Sequence, residues 1–224
     1  MGAVLHASQV NPDGPTVARA AATLRDGGVV VLPTDSVYGI CCAATPGNPA
    51  HGRIFDIKRR DRAQTLPWFV ADVDDLARYG LDVSARALRL AERLWPGALT
   101  IVVRASAEVP PEYAQPGDGG ATIALRVPAS DLDRAVVRAL GVPLAQTSAN
   151  THGMPAPASF DVVEPVVLAG VDVAIDAGET PCQDASTIVS CVSGEVVVAR
   201  YGALSEDDIQ RVAKTARMRM QDRQ

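Results

Sequence analysis

Val29-Val30-Val31-Leu32-Pro33-Thr34-Asp35-Ser36-Val37-Tyr38-Gly39-Ile40-Cys41-Cys42-Ala43-Ala44 reads as a strand, a polar loop and a second strand. Val29–Leu32 is a short run of β-branched and apolar residues, the pattern of a strand buried on both faces. Pro33 lacks a backbone donor and ends the run, and Gly39 permits a tight path into Ile40–Ala44. Between them stand three hydroxyls and a carboxylate: Thr34, Asp35, Ser36 and Tyr38. A hydroxyl cluster at the end of a sheet suits a ligand-facing loop, and an ordinary turn with solvated side chains is the competing reading.

Working outward, Val17–Arg25 has helical spacing and is closed by Asp26-Gly27-Gly28, so the opening unit is helix, turn, strand. Downstream, Thr45-Pro46-Gly47-Asn48-Pro49 predicts a loop and His51–Arg60 a short helix with Ile54, Phe55 and Ile57 inward. That helix ends in Lys58, Arg59, Arg60 and Arg62, which read either as a solvated charged face or as an anion site. A short strand is expected at Leu66–Val70, then a helix capped by Asp72 and running to Tyr79. Ser84 caps the next helix, which Pro96-Gly97 stops before a strand at Ala98–Arg104. A loop over Ala105–Gly120 leads to the strand Thr122–Val127, where Arg126 interrupts an apolar run. An arginine there lies at an edge or points into an anion-binding cleft.

Ser130 or Asp131 caps a helix to Leu140, and Pro143–Gln146 reads as a strand delivering Thr147-Ser148-Ala149-Asn150 as a ligand-facing loop. Thr151–Ser159 is rich in turn formers, Phe160–Leu168 is helical around Pro165, and Val171–Asp176 is a strand. A hairpin of Ser186–Cys191 and Glu195–Arg200 turns at Ser193-Gly194. The last helix starts at Glu206 after Ser205 and becomes basic over Lys214–Arg223, as the helix dipole favours. Strands and helices mix without regular alternation and without a linker, which predicts one domain of 224 residues with a mixed sheet, α/β or α+β.

With 47% hydrophobic residues the chain can bury a substantial core, and a net charge of −5 argues against binding nucleic acid over the whole surface. No apolar run reaches membrane-spanning length and no leader pattern is visible, so a cytoplasmic protein with no membrane partner is expected. Cys41, Cys42, Cys182 and Cys191 lack a Cys-x-x-Cys spacing and read as free, mostly buried thiols. His6, His51 and His152 are too scattered for a zinc site, and no metal-ligand set can be named. Phosphate-binding loops of the Gly-x-x-x-x-Gly-Lys and Gly-x-Gly-x-x-Gly kinds are absent, as is a Gly-x-Ser-x-Gly elbow. The polar residues beside strands are instead Thr34, Lys58, Arg60, Arg126, Ser148, Asn150, Ser186 and Arg200. Such a set binds phosphate and carboxylate and offers no nucleophile.

Pro33-Thr34-Asp35-Ser36-Val37-Tyr38-Gly39-Ile40, Lys58-x-Arg60, Pro96-Gly97-Ala98-Leu99-Thr100, Ile123-Ala124-Leu125-Arg126-Val127-Pro128, Ser148-Ala149-Asn150, Ser186-Thr187-Ile188-Val189 and Arg200-Tyr201-Gly202 together resemble the YrdC family of threonylcarbamoyl-AMP synthases. The order fits from about residue 15 to about residue 210. The resemblance implies a twisted mixed sheet flanked by helices with a concave active-site face. It implies synthesis of threonylcarbamoyl-adenylate from L-threonine, bicarbonate and ATP, with magnesium accompanying the triphosphate, as the first step towards N6-threonylcarbamoyladenosine in tRNA. By that likeness Lys58 and Arg60 contact phosphates and carbamate, and Ser148, Asn150 and Arg200 contact the nucleotide. Thr34, Arg126 and Ser186 then lie near the threonine.

The chain departs from the family pattern at Ser36, where threonine is frequent, at Asp61 in place of proline, at Phe69 in place of a polar contact, and at Ser190 in place of aspartate. Two other readings compete: a paralogue making another carbamoyl-adenylate, and a module binding tRNA or double-stranded RNA on the concave face. Downstream tRNA threonylcarbamoyl-transferase proteins are the partners that the first reading implies.

Overall fold

A computed structural model describes residues 2–214. The basic tail expected over Lys214–Arg223 lies, beyond Lys214, outside the described residues. The opening stretch is the hairpin of β2 (Val30–Pro33) and β3 (Tyr38–Ala43), every residue of which is buried. Alternation along β2 sends Val30 and Leu32 to one face of the sheet and Val29 and Val31 to the other, so each face has its own core.

Together with this hairpin, nine further strands of the described residues form a single eleven-stranded sheet. In chain order the rest are β1 (Ala3–His6), β4 (Trp68–Phe69), β5 (Gly80–Leu81), β6 (Leu99–Ala105), β7 (Thr122–Arg126), β8 (Leu144–Ser148), β9 (Val173–Asp176), β10 (Thr187–Ser190) and β11 (Val197–Arg200). The order across the sheet is β1-β9-β2-β3-β8-β4-β7-β6-β10-β11, with β5 paired to β6. Both parallel pairs, such as β10 with β6, and antiparallel pairs, such as β3 with β8, occur, as the mixed-sheet reading requires.

One face is covered by α1 (Gly14–Arg25) and α5 (Asp131–Leu140), which pack on each other and on Leu24, Leu32, Leu132 and Val136. The other carries α2 (Pro49–Lys58), α3 (Asp75–Tyr79), α4 (Ala85–Leu94), α6 (Pro165–Gly170) and α7 (Glu206–Lys214) over a larger core that includes Ile54, Trp68, Leu90 and Ile101. Helix starts follow capping chemistry. Asp13, Asn48, Ser84 and Ser130 each accept a backbone N–H from the first turn, and Ser205 does the same for Asp208. None of the described helices is long and apolar enough to cross a membrane.

Several boundaries differ from the sequence reading for physical reasons. Strand β1 was not expected: it is a half-exposed edge strand with no apolar alternation. The expected strand at Leu66–Val70 shortens to Trp68–Phe69, since Pro67 has no N–H to give the ladder. Asp72 does not cap α3; the Asp75 carboxylate instead accepts from the N–H groups of Ala71 and Asp72. Strand β8 runs on to Ser148, which pairs with Gly39, so Thr147 and Ser148 belong to the sheet and not to a loop. Cys41, Cys42, Cys182 and Cys191 are all free, and all but Cys182 are buried.

The last sheet edge depends on one glycine. A Cβ at Gly202 would lie 2.1 Å from the Ala185 carbonyl oxygen, against backbone that cannot swing aside. Gly202→Ala is therefore expected to cost about 1–3 kcal/mol, read as a lower urea midpoint. An unchanged midpoint would show that this edge shifts freely.

Candidate active site

The loop between β2 and β3 is knotted by its own hydroxyls. Thr34 Oγ1 donates to the Val37 carbonyl at 2.7 Å and accepts from the N–H groups of Ser36 and Val37. Ser36 Oγ shares a 2.9 Å hydrogen bond with Thr34 and accepts from Arg126 Nη1 at 2.8 Å. Arg126 is the central device. It is 2% exposed and carries a full positive charge into the sheet. Its Nη2 donates to Asp35 Oδ1 at 2.7 Å and its Nε to the Gly97 carbonyl at 2.9 Å, while the guanidinium lies 5.2 Å from the Phe69 ring centroid. Asp35 also accepts from the Ala129 N–H at 3.0 Å, so one carboxylate ties the loop to the end of β7.

A pocket opens over this floor. Thr34, Ser36, Tyr38 and Gly39 line one side, and Phe69 and Arg126 form its base. Thr147 and Ser148 come from β8, Thr100 from β6, and Ser186 and Arg200 from the far edge of the sheet. Ser186 Oγ shares a 2.9 Å hydrogen bond with Thr100 Oγ1, and Arg200 Nη2 donates to the Ser186 carbonyl at 2.7 Å. Thus Thr34, Arg126, Ser148, Ser186 and Arg200, far apart in sequence, meet in one cavity.

Lys58, Arg60 and Asn150 do not line that cavity; they buttress its β8 side. Arg60 Nη1 donates to Thr147 Oγ1 at 3.2 Å, and its Nε is buried without a partner. Burial, and next the charge of Arg200, lower the pKa of Arg60; Arg200 is lowered by burial and by Arg126. Arg200 thus feels both Arg60 and Arg126, with Asp184 acting on Arg200 and Asp35 paired to Arg126, and the excess of cations attracts anions. Lys58, 3% exposed, donates from Nζ to the carbonyls of Ser148 and Asn150 at 2.5 Å each. Its pKa falls to about 8, chiefly through burial and secondly through Arg60. Asn150 Nδ2 donates to the carbonyls of Thr151 and Met154, leaving Oδ1 buried and unpartnered. Of the remaining cations nearby, Arg62 is paired with Asp56 and Arg53 with Asp172, and Arg59 is exposed.

Sequence reasoning missed Thr100 and Gln146 as lining residues, while Thr147 lay in the stretch expected to face a ligand. Thr100 stood inside a quoted motif; Gln146 carries no signal until β8 is paired with β3. The departure at Phe69 proves structural, because its ring packs beneath Arg126. Among the described residues no cluster of three or more His, Cys, Asp or Glu could hold a metal ion.

The Sua5/YciO/YrdC family model, described as "Telomere recombination", matches residues 22–202. The chain belongs to the Sua5/YciO/YrdC family. A Bacillus subtilis relative named threonylcarbamoyl-AMP synthase is 31% identical over 91% of this chain and 58% of its own length. One of the same name from Xanthomonas campestris is 32% identical over 79% of this chain and 96% of its own. A solved Sua5 structure from Pyrococcus abyssi, complexed with L-threonine, superposes with a TM-score of 0.86 at 30% identity, covering 93% of this chain and 60% of that one. This Sua5/YciO/YrdC member thus spans a little under three fifths of the Bacillus relative and nearly all of the Xanthomonas one. The mixed sheet and its flanking helices are the family architecture.

Proposed function

We propose that this chain is an L-threonylcarbamoyladenylate synthase acting as a single YrdC-like domain. In that reaction the threonine amine and bicarbonate give a carbamate and water. A carbamate oxygen then attacks the α-phosphorus of ATP, forming threonylcarbamoyl-AMP and expelling pyrophosphate. One observation carries the reading: Arg126 and Arg200 line a hydroxyl-rich cavity that Arg60 backs through Thr147, and Asp35 is paired to only the first of these three guanidiniums. The substrates are anionic pieces, and the charge that grows on the leaving pyrophosphate needs fixed cations and donors, not a nucleophile. Relatives carrying the synthase name, and a relative complexed with L-threonine, support it.

In this reading Thr34, Arg126 and Ser186 hold the threonine. Thr34 acts mainly as a shaped wall, because its one hydroxyl hydrogen is engaged, whereas Arg126 spends three of its five N–H groups on the protein and keeps one on each Nη. Arg60, Lys58, Ser148, Asn150 and Arg200 serve the carbamate and the nucleotide phosphates. Mg2+ is part of the ATP substrate, held by phosphate oxygens and water. The adenylate is passed to downstream tRNA threonylcarbamoyl-transferase proteins in the cytoplasm. A tRNA or double-stranded RNA on the concave face is the weaker reading, since Arg53 and Arg62 are already paired with carboxylates.

The test is pyrophosphate release from ATP with each substrate withheld in turn. Release that needs both L-threonine and bicarbonate is expected. Release driven by carbamoyl phosphate, or none at all alongside salt-sensitive RNA binding, would overturn the proposal.

A further inference from the structure

One buried carboxyl has no part in the chemistry above. Asp133, at the start of α5, is 0% exposed, and Gln146, 1% exposed, faces it from β8. Leu144 and Gln146 point to the same face of the strand, the one covered by α1 and α5. Gln146 Nε2 donates to Asp133 Oδ1 at 3.3 Å. Two atoms of the pair are left over: Asp133 Oδ2 and Gln146 Oε1 are both buried without a partner. Both are acceptors when Asp133 is ionised, so neither can satisfy the other.

A single proton serves both atoms. With Oδ2 protonated, the acid donates to Oε1 while Nε2 donates to Oδ1, closing the paired ring that carboxylic acids form with primary amides. Hydrogen bonds from Ser130 and Gln146 favour the ionised acid, and burial outweighs them. Cys41 reaches the acid from β3 with a thiol that burial keeps neutral, and Ser130 belongs to the cap of the same helix. Asp35 and Arg126 act on Asp133 in opposite directions as one ion pair. Burial, the dominant influence, pushes the Asp133 carboxyl up to about 7.

The pair lies directly behind the pocket wall. Gly39 leaves room for Gln146: a Cβ there would fall 2.3 Å from Nε2 and 2.9 Å from Cδ. Gly39 pairs with Ser148 across β3 and β8, and Gly39, Gln146 and Ser148 all line the cavity. We propose that Asp133 is a carboxylic acid in the folded protein, bonded through Oδ2–H to Gln146 Oε1, and that this acid–amide ring positions Gln146 behind Gly39 to hold the pocket wall. Ionisation sets Oδ2 against Oε1, turns the amide and loosens the wall. The consequence for ligand affinity rests on the threonine reading above.

Asp133→Asn tests this, because its amide reproduces the ring with no proton to lose. Urea unfolding of both proteins is followed from about pH 5 to about pH 8.5, with L-threonine binding measured by calorimetry at about pH 6 and about pH 8. The folded wild type keeps a proton that the unfolded chain gives up near pH 4. Its stability relative to Asp133→Asn therefore falls as pH rises, by about tenfold in the folding constant per pH unit up to about pH 7, and is level above it. Wild-type affinity for L-threonine weakens several-fold between the two pH values, and that of Asp133→Asn does not. Parallel unfolding profiles overturn the protonated pair whether or not L-threonine binds. Diverging profiles with parallel affinities overturn the positioning of the wall. A wild type that binds no L-threonine at either pH overturns the threonine reading, and the unfolding profiles alone then decide the pair. Should Asp133→Asn not fold, infrared spectra of the wild type decide: a buried protonated-carboxyl band that bleaches on raising the pH supports the pair, and its absence at every pH overturns it.

Discussion

Lys58→Ala lowers pyrophosphate release by on the order of a hundredfold or more and leaves the chain folded. Lys58 Nζ has three donors, and two of them fasten the carbonyls of Ser148 and Asn150, which brings the end of β8 to the cation cluster. The third is left for an anion. Truncation strands two carbonyls at a cost of about 1–3 kcal/mol, visible as a lower urea midpoint within a still cooperative transition. A variant with full activity would remove Lys58 from the account.

The same side chain gives opposite pH trends for activity and stability. Lys58 loses its proton near pH 8 in the folded protein, so turnover falls as pH rises past about 8. In the unfolded chain a lysine keeps its proton up to about pH 10.4, so between these values the unfolded state binds more protons. Stability then rises with pH over that window while activity falls.

Asp35→Ala destabilises the fold by about 3–5 kcal/mol, since it leaves the Arg126 guanidinium buried without its carboxylate. The Ala129 N–H loses its acceptor at the same stroke. Adding Arg126→Leu removes the stranded charge, and the double variant is expected to be more stable than Asp35→Ala alone, although its pocket has lost its floor. Urea unfolding of the two single variants and the double variant closes the cycle. If Asp35→Ala unfolds at the wild-type midpoint, the ion pair does not organise the site.

Much of this fold could be read from local chemistry. The apolar runs around Pro33-Thr34-Asp35-Ser36 predict the β2–β3 hairpin, and the caps at Ser84 and Ser130 predict two helix starts. What escaped were elements whose existence depends on partners: the exposed edge β1 and the two-residue strand β5, which are strands only because neighbours pair with them. At the site, residue types alone reached an anion-binding protein and no further; the register of the distant motifs supplied the family. Lys58 shows why. Its charge is visible in sequence, but its service to the carbonyls of Ser148 at the end of β8 and Asn150 just beyond depends on where α2 ends in the fold. Asp133 and Gln146 were silent for a related reason. Each reads as an ordinary surface residue until the pairing of β3 with β8 and the docking of α5 bury both.

The most direct test of the account is to supply labelled bicarbonate with ATP and L-threonine and to separate the nucleotides. The account predicts label in a new adenylate, formed in equal amount with pyrophosphate and absent when L-threonine is omitted. Pyrophosphate released with no label in the nucleotide, or label that appears without L-threonine, would contradict it.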